Sequence, residues 1–297
     1  LIVLPRSLFY RLHWPRENSL HMLILRIAFT GAFLGYLFVS GPWSWLTYYL
    51  RYFMFGLYII LGVISFTKLR QDLPFNPVGE QRNWWPLANY SFSLLIALIL
   101  LGLSVRGHFY PGEAVQLALP FNEGQFYVAQ GGNSIVLNYA RYSRSQQFAV
   151  DILELNSSGR RAEGIYPAEL SQFEIFGQLV ISPCSGRVAD AVDGLPDLMP
   201  PERDQQKPAG NHVILACKGV RLLLAHLKEG SVTVNAGEHV VQGQALGRVG
   251  NSGNTTEPHL HIHAVEGERA DIFNGDAVPI LFEGQFPTRN TLYTVGD

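Results

Sequence analysis

Long apolar stretches joined by short polar connections make up the first third of the chain. Residues 22–39, 43–66 and 87–105 each approach the ~20 residues that a helix needs to cross a bilayer. Arg26 and Arg51 are the only charges within them. A buried helix of a soluble protein is rarely apolar on every side over such a length. The pattern therefore predicts an all-α transmembrane part of three helices within residues 1–106.

Basic residues are distributed unevenly around these spans. They precede the first span and separate the second from the third, at Arg6, Arg11, Arg16, Lys68, Arg70 and Arg82. The connection 40–42 has none. The positive-inside rule then places the N-terminus in the cytoplasm and everything after residue 105 outside. We expect a multi-pass protein of the bacterial cytoplasmic (inner) membrane, surrounded by lipid, with an external or periplasmic C-terminal part.

After residue 107 the pattern changes to short apolar runs separated by Gly, Pro, Asn and Asp. The pattern predicts strands at 134–137, 147–155, 186–190, 212–217, 221–227, 245–249 and 259–266. Many short strands with turns at such intervals predict an all-β domain built of antiparallel sheets. We assign residues 107–142 to a connecting segment and residues 143–297 to this domain.

Charge and cysteine usage narrow the function classes. Only 15% of the 297 residues are charged, and residues 111–297 hold thirteen basic and twenty-one acidic side chains. A nucleic-acid partner is therefore not expected, because such binders present a basic surface. Cys184 and Cys217 are the only cysteines, and both lie in the part predicted to be exported. That location favours a disulfide over two buried thiols.

Three histidines alternate in the run Pro258–His263. On a strand, His259, His261 and His263 share one face, roughly 6–7 Å apart. Neighbouring imidazoles at that spacing can approach one metal ion, or one can bind metal while the next transfers a proton. Asp151 and His226 each stand in an apolar run, where a carboxylate is costly unless it is paired or bound to metal. Together the five residues predict a zinc site.

Motif blocks in a fixed order make this prediction more specific. After Asp151 come PCSGRV at 183–188, GNHVI at 210–214, LAHL at 224–227, GEHVVQGQ at 237–244 and GNSGNTTEPHLH at 250–261. Over about residues 145–266 the chain resembles the M23 (LytM/lysostaphin-type) zinc metallopeptidase domain. The resemblance implies an antiparallel β fold, one Zn²⁺ ion and cleavage of peptide bonds in peptidoglycan. By position it implies that Asp151 and His261 are zinc ligands and that His226 and His259 are the catalytic pair.

One position departs from the family pattern. The family motif is His-x-x-x-Asp, in which the histidine is a zinc ligand, but Gln147 stands four residues before Asp151. A substitute ligand can replace it, with His263 the nearest candidate by strand face, or a histidine such as His212 can come from elsewhere. Alternatively, the domain has lost tight zinc binding and binds wall peptides or regulates a partner hydrolase. We rank a membrane-anchored zinc metalloendopeptidase acting on peptidoglycan peptides above this non-catalytic alternative.

Overall fold

The computed structural model describes residues 19–75 and 84–296. These residues form two compact units. The first contains Tyr49–Val105 and the described part of Leu1–Gly41, and the second contains Pro42–Tyr48 and the described part of Arg106–Asp297. Four of the arginines on which the expected orientation depends lie outside the described residues: Arg6, Arg11, Arg16 and Arg82.

The first unit consists of three apolar helices, as predicted. They are α1 (Leu20–Ser40), α2 (Leu50–Leu69) and α3 (Trp85–Arg106), and each is long and apolar enough to cross a membrane. Ser19 caps α1, because its hydroxyl accepts a hydrogen bond from the Met22 N–H. Between α1 and α2, the Tyr58 hydroxyl donates to the Ile27 carbonyl across Gly31, where a Cβ would overlap the hydroxyl.

The second helix begins later than the predicted span 43–66. Trp43–Trp45 instead forms a short 3₁₀ helix, and the helical turns of α2 start at Leu50. The reason is that residues 42–48 are bound by the second unit. The Arg161 N–H donates to the Ser44 carbonyl, and the Tyr48 N–H donates to the Gly159 carbonyl. Hydropathy alone does not distinguish these buried aromatic residues from a membrane span.

The second unit is built from short strands. They are β1 (Val115–Leu117), β2 (Gly124–Gln130), β3 (Val150–Glu154), β4 (Leu179–Ile181), β5 (Gly186–Val192), β6 (Asn211–Cys217), β7 (Val220–Leu227), β8 (His239–Val240), β9 (Ala245–Arg248), β10 (Leu260–Glu266), β11 (Ala277–Val278), β12 (Ile280–Phe282) and β13 (Leu292–Val295). The main sheet is antiparallel with the order β13-β2-β3-β10-β7-β6-β5-β8, and β11 pairs with part of β10. Two small sheets accompany it, antiparallel β4-β9 and parallel β1-β12.

The two faces of the main sheet differ. One face carries the largest apolar core, to which β10 contributes Leu260 and Ile262. Because side chains alternate along a strand, His261 and His263 lie on the opposite face. A smaller apolar cluster that includes Leu223, Ala225 and Ile272 lies there as well. The apolar core therefore fixes the strands on one face of the sheet, and the histidines lie on the other face.

Two sequence expectations differ from the structure. The run 134–137 was expected as a strand, but its polar backbone groups are satisfied locally by a turn, in which the Leu137 and Asn138 N–H groups donate to the Ser134 carbonyl. Segment 107–142, expected as a connection, contains β1 and β2, and β2 lies between β3 and β13 in the main sheet. The boundaries of the β domain remain a prediction.

Cys184 and Cys217 form a disulfide, as the sequence predicted. Cys217 ends β6, and Cys184 lies just before β5, its neighbour in the main sheet. Both residues are buried in the apolar core. The bond therefore joins a strand end to the segment that enters the next strand.

Candidate metal site

Sheet register places Asp151 beside His261. The two residues are direct partners between antiparallel β3 and β10, so their side chains leave the same face of the sheet. On the other side of β10, His261 pairs with Ala225 of β7, and Ala225 pairs with His212 of β6. One row across four strands thus carries the carboxylate, the imidazole and, two strands further, His212.

His226 reaches this face through an irregularity of β7. The β6–β7 pairing steps from Asn211–Leu227 to His212–Ala225, so His226 is the residue without a partner in the register. Its φ of 65° lies in the left-handed region, which side chains other than glycine rarely adopt. Such a bulge interrupts the alternation of side chains and turns His226 to the face that carries His261. His226 thereby approaches the rings of His259 and His261, with centroid distances of 4.8 and 5.8 Å.

His259 is held by the loop that leads into β10. Its Nδ1 lies 2.8 Å from the Glu257 carbonyl oxygen and 3.1 Å from the Thr255 hydroxyl. The same hydroxyl donates to the Glu257 carbonyl at 2.7 Å. These contacts fix the ring of His259 and leave its Nε2 3.7 Å from Oδ1 of Asp151.

The Asp151 carboxylate is the anionic centre of the group. It is 6% exposed, and its Oδ1 lies 2.8 Å from Nδ1 of His261. The Tyr139 hydroxyl donates to Oδ2 at 3.3 Å. Burial alone would raise the pKa of Asp151, but the facing His259 and His261 outweigh it and hold the pKa well below its usual range. The neighbouring carboxylate, together with burial, raises the pKa of Tyr139. Asp151 is therefore ionised and Tyr139 is protonated near neutral pH.

Hydrogen bonds assign the protons on His226 and His259. Nδ1 of His226 lies 2.9 Å from the Ser252 carbonyl oxygen, an acceptor, so this nitrogen carries the proton. The same argument places the proton of His259 on Nδ1, facing the Glu257 carbonyl. Burial, followed by the neighbouring His259 and His261, lowers the pKa of His226 well below its ordinary value. His226 is thus a neutral imidazole with a lone pair on Nε2, and the contacts of His259 leave its Nε2 available in the same way.

His263 lies behind His261. Its Nδ1 is 3.0 Å from Nε2 of His261, and its Nε2 is 3.0 Å from the Ile272 carbonyl oxygen. Burial lowers the pKa of His263 to about 3, so its ring is neutral. Asp151 and His263 therefore contact opposite nitrogens of the His261 ring. The predicted ligand set Asp151, His261 and His263 does not surround one point, because a single ion faces only one nitrogen of an imidazole.

Gln147 and His212, the two other positions raised by the departure from the motif, make their hydrogen bonds to other partners. The Gln147 side-chain oxygen accepts a hydrogen bond from Nη1 of Arg141 at 2.8 Å. Nδ1 of His212 lies 2.8 Å from the Gly210 carbonyl oxygen, and His212 lines a cavity of about 210 Å³ together with Phe273. Among the described residues, the group that could hold a metal ion is His226, His259 and His261, whose ligand atoms all lie within 4.8 Å of one another.

The three histidines of this group, together with the neighbouring Asp151 carboxylate, suit a metal ion. Imidazole nitrogens and one ionised carboxylate are the ligand types that zinc takes in proteins. One nitrogen of each ring contacts a backbone carbonyl oxygen or a further imidazole, and metal-bound histidines have outer-shell support of this kind. Sequence reasoning found Asp151, His226, His259 and His261, but it missed Tyr139, because no spacing marks a tyrosine twelve residues before an aspartate.

One family model matches about a third of the chain. Residues 172–272 match the model of peptidase family M23. The match confirms the resemblance that the motif blocks indicate. It includes His226, His259, His261 and His263 but begins after Asp151, so the place of Asp151 rests on the register of β3 and β10. None of the curated proteins compared with the chain matches it.

Several solved structures are similar to parts of the chain. The antimicrobial peptidase lysostaphin from Staphylococcus simulans is 18% identical, with a TM-score of 0.31, over 53% of this chain and 47% of that one. The catalytic domain of lysostaphin is 21% identical, with a TM-score of 0.27, over 39% and 84%. A zinc-containing peptidase from Vibrio cholerae is 20% identical, with a TM-score of 0.26, over 44% and 50%. The chain thus spans about half the length of full lysostaphin and of the Vibrio cholerae peptidase.

Proposed function

We propose that this protein is a membrane-anchored zinc endopeptidase that cuts peptides of peptidoglycan outside the cytoplasmic membrane. The observation that carries the proposal is the buried group of Asp151, His226, His259 and His261. In it an ionised carboxylate meets three imidazoles whose remaining ring nitrogens are engaged elsewhere. A buried carboxylate that is hydrogen-bonded to one imidazole and lies 3.7 Å from a second is costly as a purely structural feature and is typical of a catalytic metal site.

Each residue has a proposed role in binding. Asp151 and His261 hold the zinc ion, and His263 orients His261 from the far side of its ring. A zinc ion in such a site lowers the pKa of its bound water to ~7 and polarises a carbonyl group. Gln147 is hydrogen-bonded to Arg141, so a third protein donor would have to come from another residue.

The remaining groups handle protons. His226 is neutral, with a lone pair on Nε2, and can accept a proton from the attacking water. The family resemblance implies that His259 shares this task with His226. The protonated Tyr139 hydroxyl lies at the edge of the site and can donate to an oxyanion that forms on the substrate carbonyl.

The location of the site fits a wall substrate. Three helices that could cross a membrane would hold the domain near peptidoglycan and raise its local concentration without any new contact. The disulfide between Cys184 and Cys217 fits an oxidising compartment. Both features support an external domain.

The proposal is tested by digestion of purified peptidoglycan with the full chain in detergent, loaded with zinc. We expect wild type to release soluble peptide fragments and His259→Ala to lose at least a hundredfold in rate. His239→Ala is the matched control, because His239 is an exposed histidine of β8, and it should digest like wild type. Equal release by wild type and His259→Ala would overturn the proposal.

A second candidate function rests on Gln147. Its side-chain oxygen accepts a hydrogen bond from Arg141, and the imidazole that the family motif has at this position is missing. A domain without tight zinc binding would bind wall peptides or a partner hydrolase and cut nothing. Binding of peptidoglycan without release of fragments, by a protein that retains no zinc, would favour this alternative.

A further inference from the structure

Residues 42–48, which connect α1 and α2 in the sequence, belong to the same compact unit as the metal site. We call them the 42–48 segment. The Arg161 N–H donates to the Ser44 carbonyl, and the Thr47 hydroxyl donates to the Ser158 carbonyl at 2.6 Å. The Tyr48 ring is buried and packs against Tyr127. The segment is therefore bound by backbone and side-chain contacts to the turn that follows β3.

One side chain links this segment to the site. Arg161 is 2% exposed, and its guanidinium lies over the Trp45 ring at 4.8 Å from the centroid. On the other side, its Nε and Nη2 contact Oε2 of Glu257 at 2.9 and 2.8 Å. The Trp45 face and the Glu257 carboxylate together balance the charge of the buried guanidinium.

Glu257 then acts on His259 through its backbone. The Glu257 carbonyl accepts the Nδ1 hydrogen bond of His259 at 2.8 Å, and that bond fixes the ring and directs Nε2 toward Asp151. An ion pair that holds the Glu257 side chain also restricts where its carbonyl group lies. Three contacts thus connect Trp45 to the imidazole of His259.

We propose that the 42–48 segment helps to position the catalytic residues of the peptidase domain, and that Trp45, Arg161 and Glu257 are positioning residues for His259. This inference rests on the proposed function, since it concerns the same site. It implies that the chain segment between the first two membrane-span candidates contributes to the setting of the catalytic group. A fragment that starts after α3 would lack this contribution.

The test compares two neighbouring arginines in the full chain. Arg160 contacts the same segment, with its Nε donating to the Leu46 carbonyl at 3.0 Å, and it serves as the matched control. We expect Arg161→Met to lower kcat about ten- to a hundredfold, the range found for outer-shell partners, with KM changed less than threefold. Arg160→Met should stay within threefold of wild type, and Arg161→Lys should recover part of the loss because it retains the charge.

A double-variant cycle separates positioning from general destabilisation. If Arg161 acts through His259, then Arg161→Met should cost little further rate once His259→Ala is present. Independent, multiplying losses would overturn the proposal. If Arg161→Met fails to fold, Trp45→Leu tests the same set of contacts, and it should also lower kcat.

A readout that needs no activity distinguishes failure of this proposal from failure of the proposed function. In the full chain labelled with ¹⁵N-histidine, the Nδ1 proton of His259 should give a low-field NMR signal that persists because of its bond to Glu257. We expect Arg161→Met to lose this signal and Arg160→Met to keep it. A signal unchanged by Arg161→Met contradicts the positioning role, whether or not the protein cuts peptidoglycan.

Discussion

At the scale of single residues, His263 contacts the ring of His261, the proposed zinc ligand, and is not itself a proposed ligand. It sits in the row behind His261, and its ring contacts the nitrogen of His261 that is turned away from Asp151. The alternation of side chains along β10 that suggested His263 as a ligand places it against His261, and we propose that it supports that ring. Outer-shell partners of this kind fix the orientation of the ligand ring and keep its free nitrogen facing the metal.

We predict that His263→Phe weakens zinc binding of the full chain about ten- to a hundredfold, because Phe fills the space but offers no contact to His261 Nε2. Competition with a chelating dye measures this affinity. His212→Phe is the control, since His212 bonds to the Gly210 carbonyl and lies outside the metal group. An affinity equal to that of wild type in His263→Phe would contradict the supporting role.

A second prediction concerns the pH dependence of stability. Burial, followed by the neighbouring Glu174 and Glu123, raises the pKa of Glu154 from 4.5 to about 7. The folded protein therefore binds this proton more tightly than the unfolded chain does. The resulting stabilisation is fully present below pH 4.5 and is lost as the pH rises through about 7.

Glu154→Gln should consequently be more stable than wild type at pH 8, by roughly 1 kcal/mol after allowance for solvent screening. At pH 3 the difference should nearly vanish, because the wild-type side chain is then largely protonated in both states. Thermal unfolding of the two proteins at both pH values measures it. A pH-independent difference would show that Glu154 acts through packing rather than through its charge.

At the scale of elements, the loops before β6 and β10 are interlocked by glycines. Gly210 has a φ of 58°, and a Cβ there would overlap the Ser252 carbonyl, which accepts the Nδ1 proton of His226. This close approach is possible only without a side chain. The loop backbone therefore sets both the fold of the rim and the orientation of a site histidine.

Gly210→Ala is predicted to destabilise the domain by more than ~3 kcal/mol and to reduce activity, because backbone strain and overlap with Ser252 add together. Gly230→Ala is the matched control: its φ is 70°, but a Cβ there meets only open space. It should cost roughly 1–2 kcal/mol from backbone strain alone. Equal losses in the two variants, measured by denaturant unfolding, would refute the interlocking of the two loops.

The sequence predicted the elements unevenly, for physical reasons. Runs of apolar residues revealed the three helices, and alternation revealed β10 and its histidines. Strand β2 was missed because its pairing with β3 and β13 is a long-range event that leaves little local signal. The sequence indicated His226 but not the direction of its side chain, which depends on a bulge in the pairing of β6 and β7. The contacts of the 42–48 segment with Arg161 were likewise invisible in hydropathy.

At the scale of the whole molecule, action on peptidoglycan requires that the β unit lie outside the cytoplasm. We predict that a reporter fused after residue 297 is active only when it is of a type that functions after export, such as alkaline phosphatase. A fluorescent reporter that needs the cytoplasm should stay dark at the same position. The distribution of basic residues around the three spans gives this orientation. The reverse pattern of reporter activity would exclude action on peptidoglycan by this domain.

The central claim is that the full chain binds one zinc ion through Asp151 and His261. The most direct test is the zinc content and affinity of the purified full chain, measured by metal analysis and chelator competition. We expect one zinc ion per wild-type chain, at least a hundredfold weaker binding in His261→Ala, and wild-type binding in the control His212→Ala. Wild-type protein that retains no zinc when the metal is supplied, or His261→Ala that binds zinc as tightly as wild type, would contradict the claim.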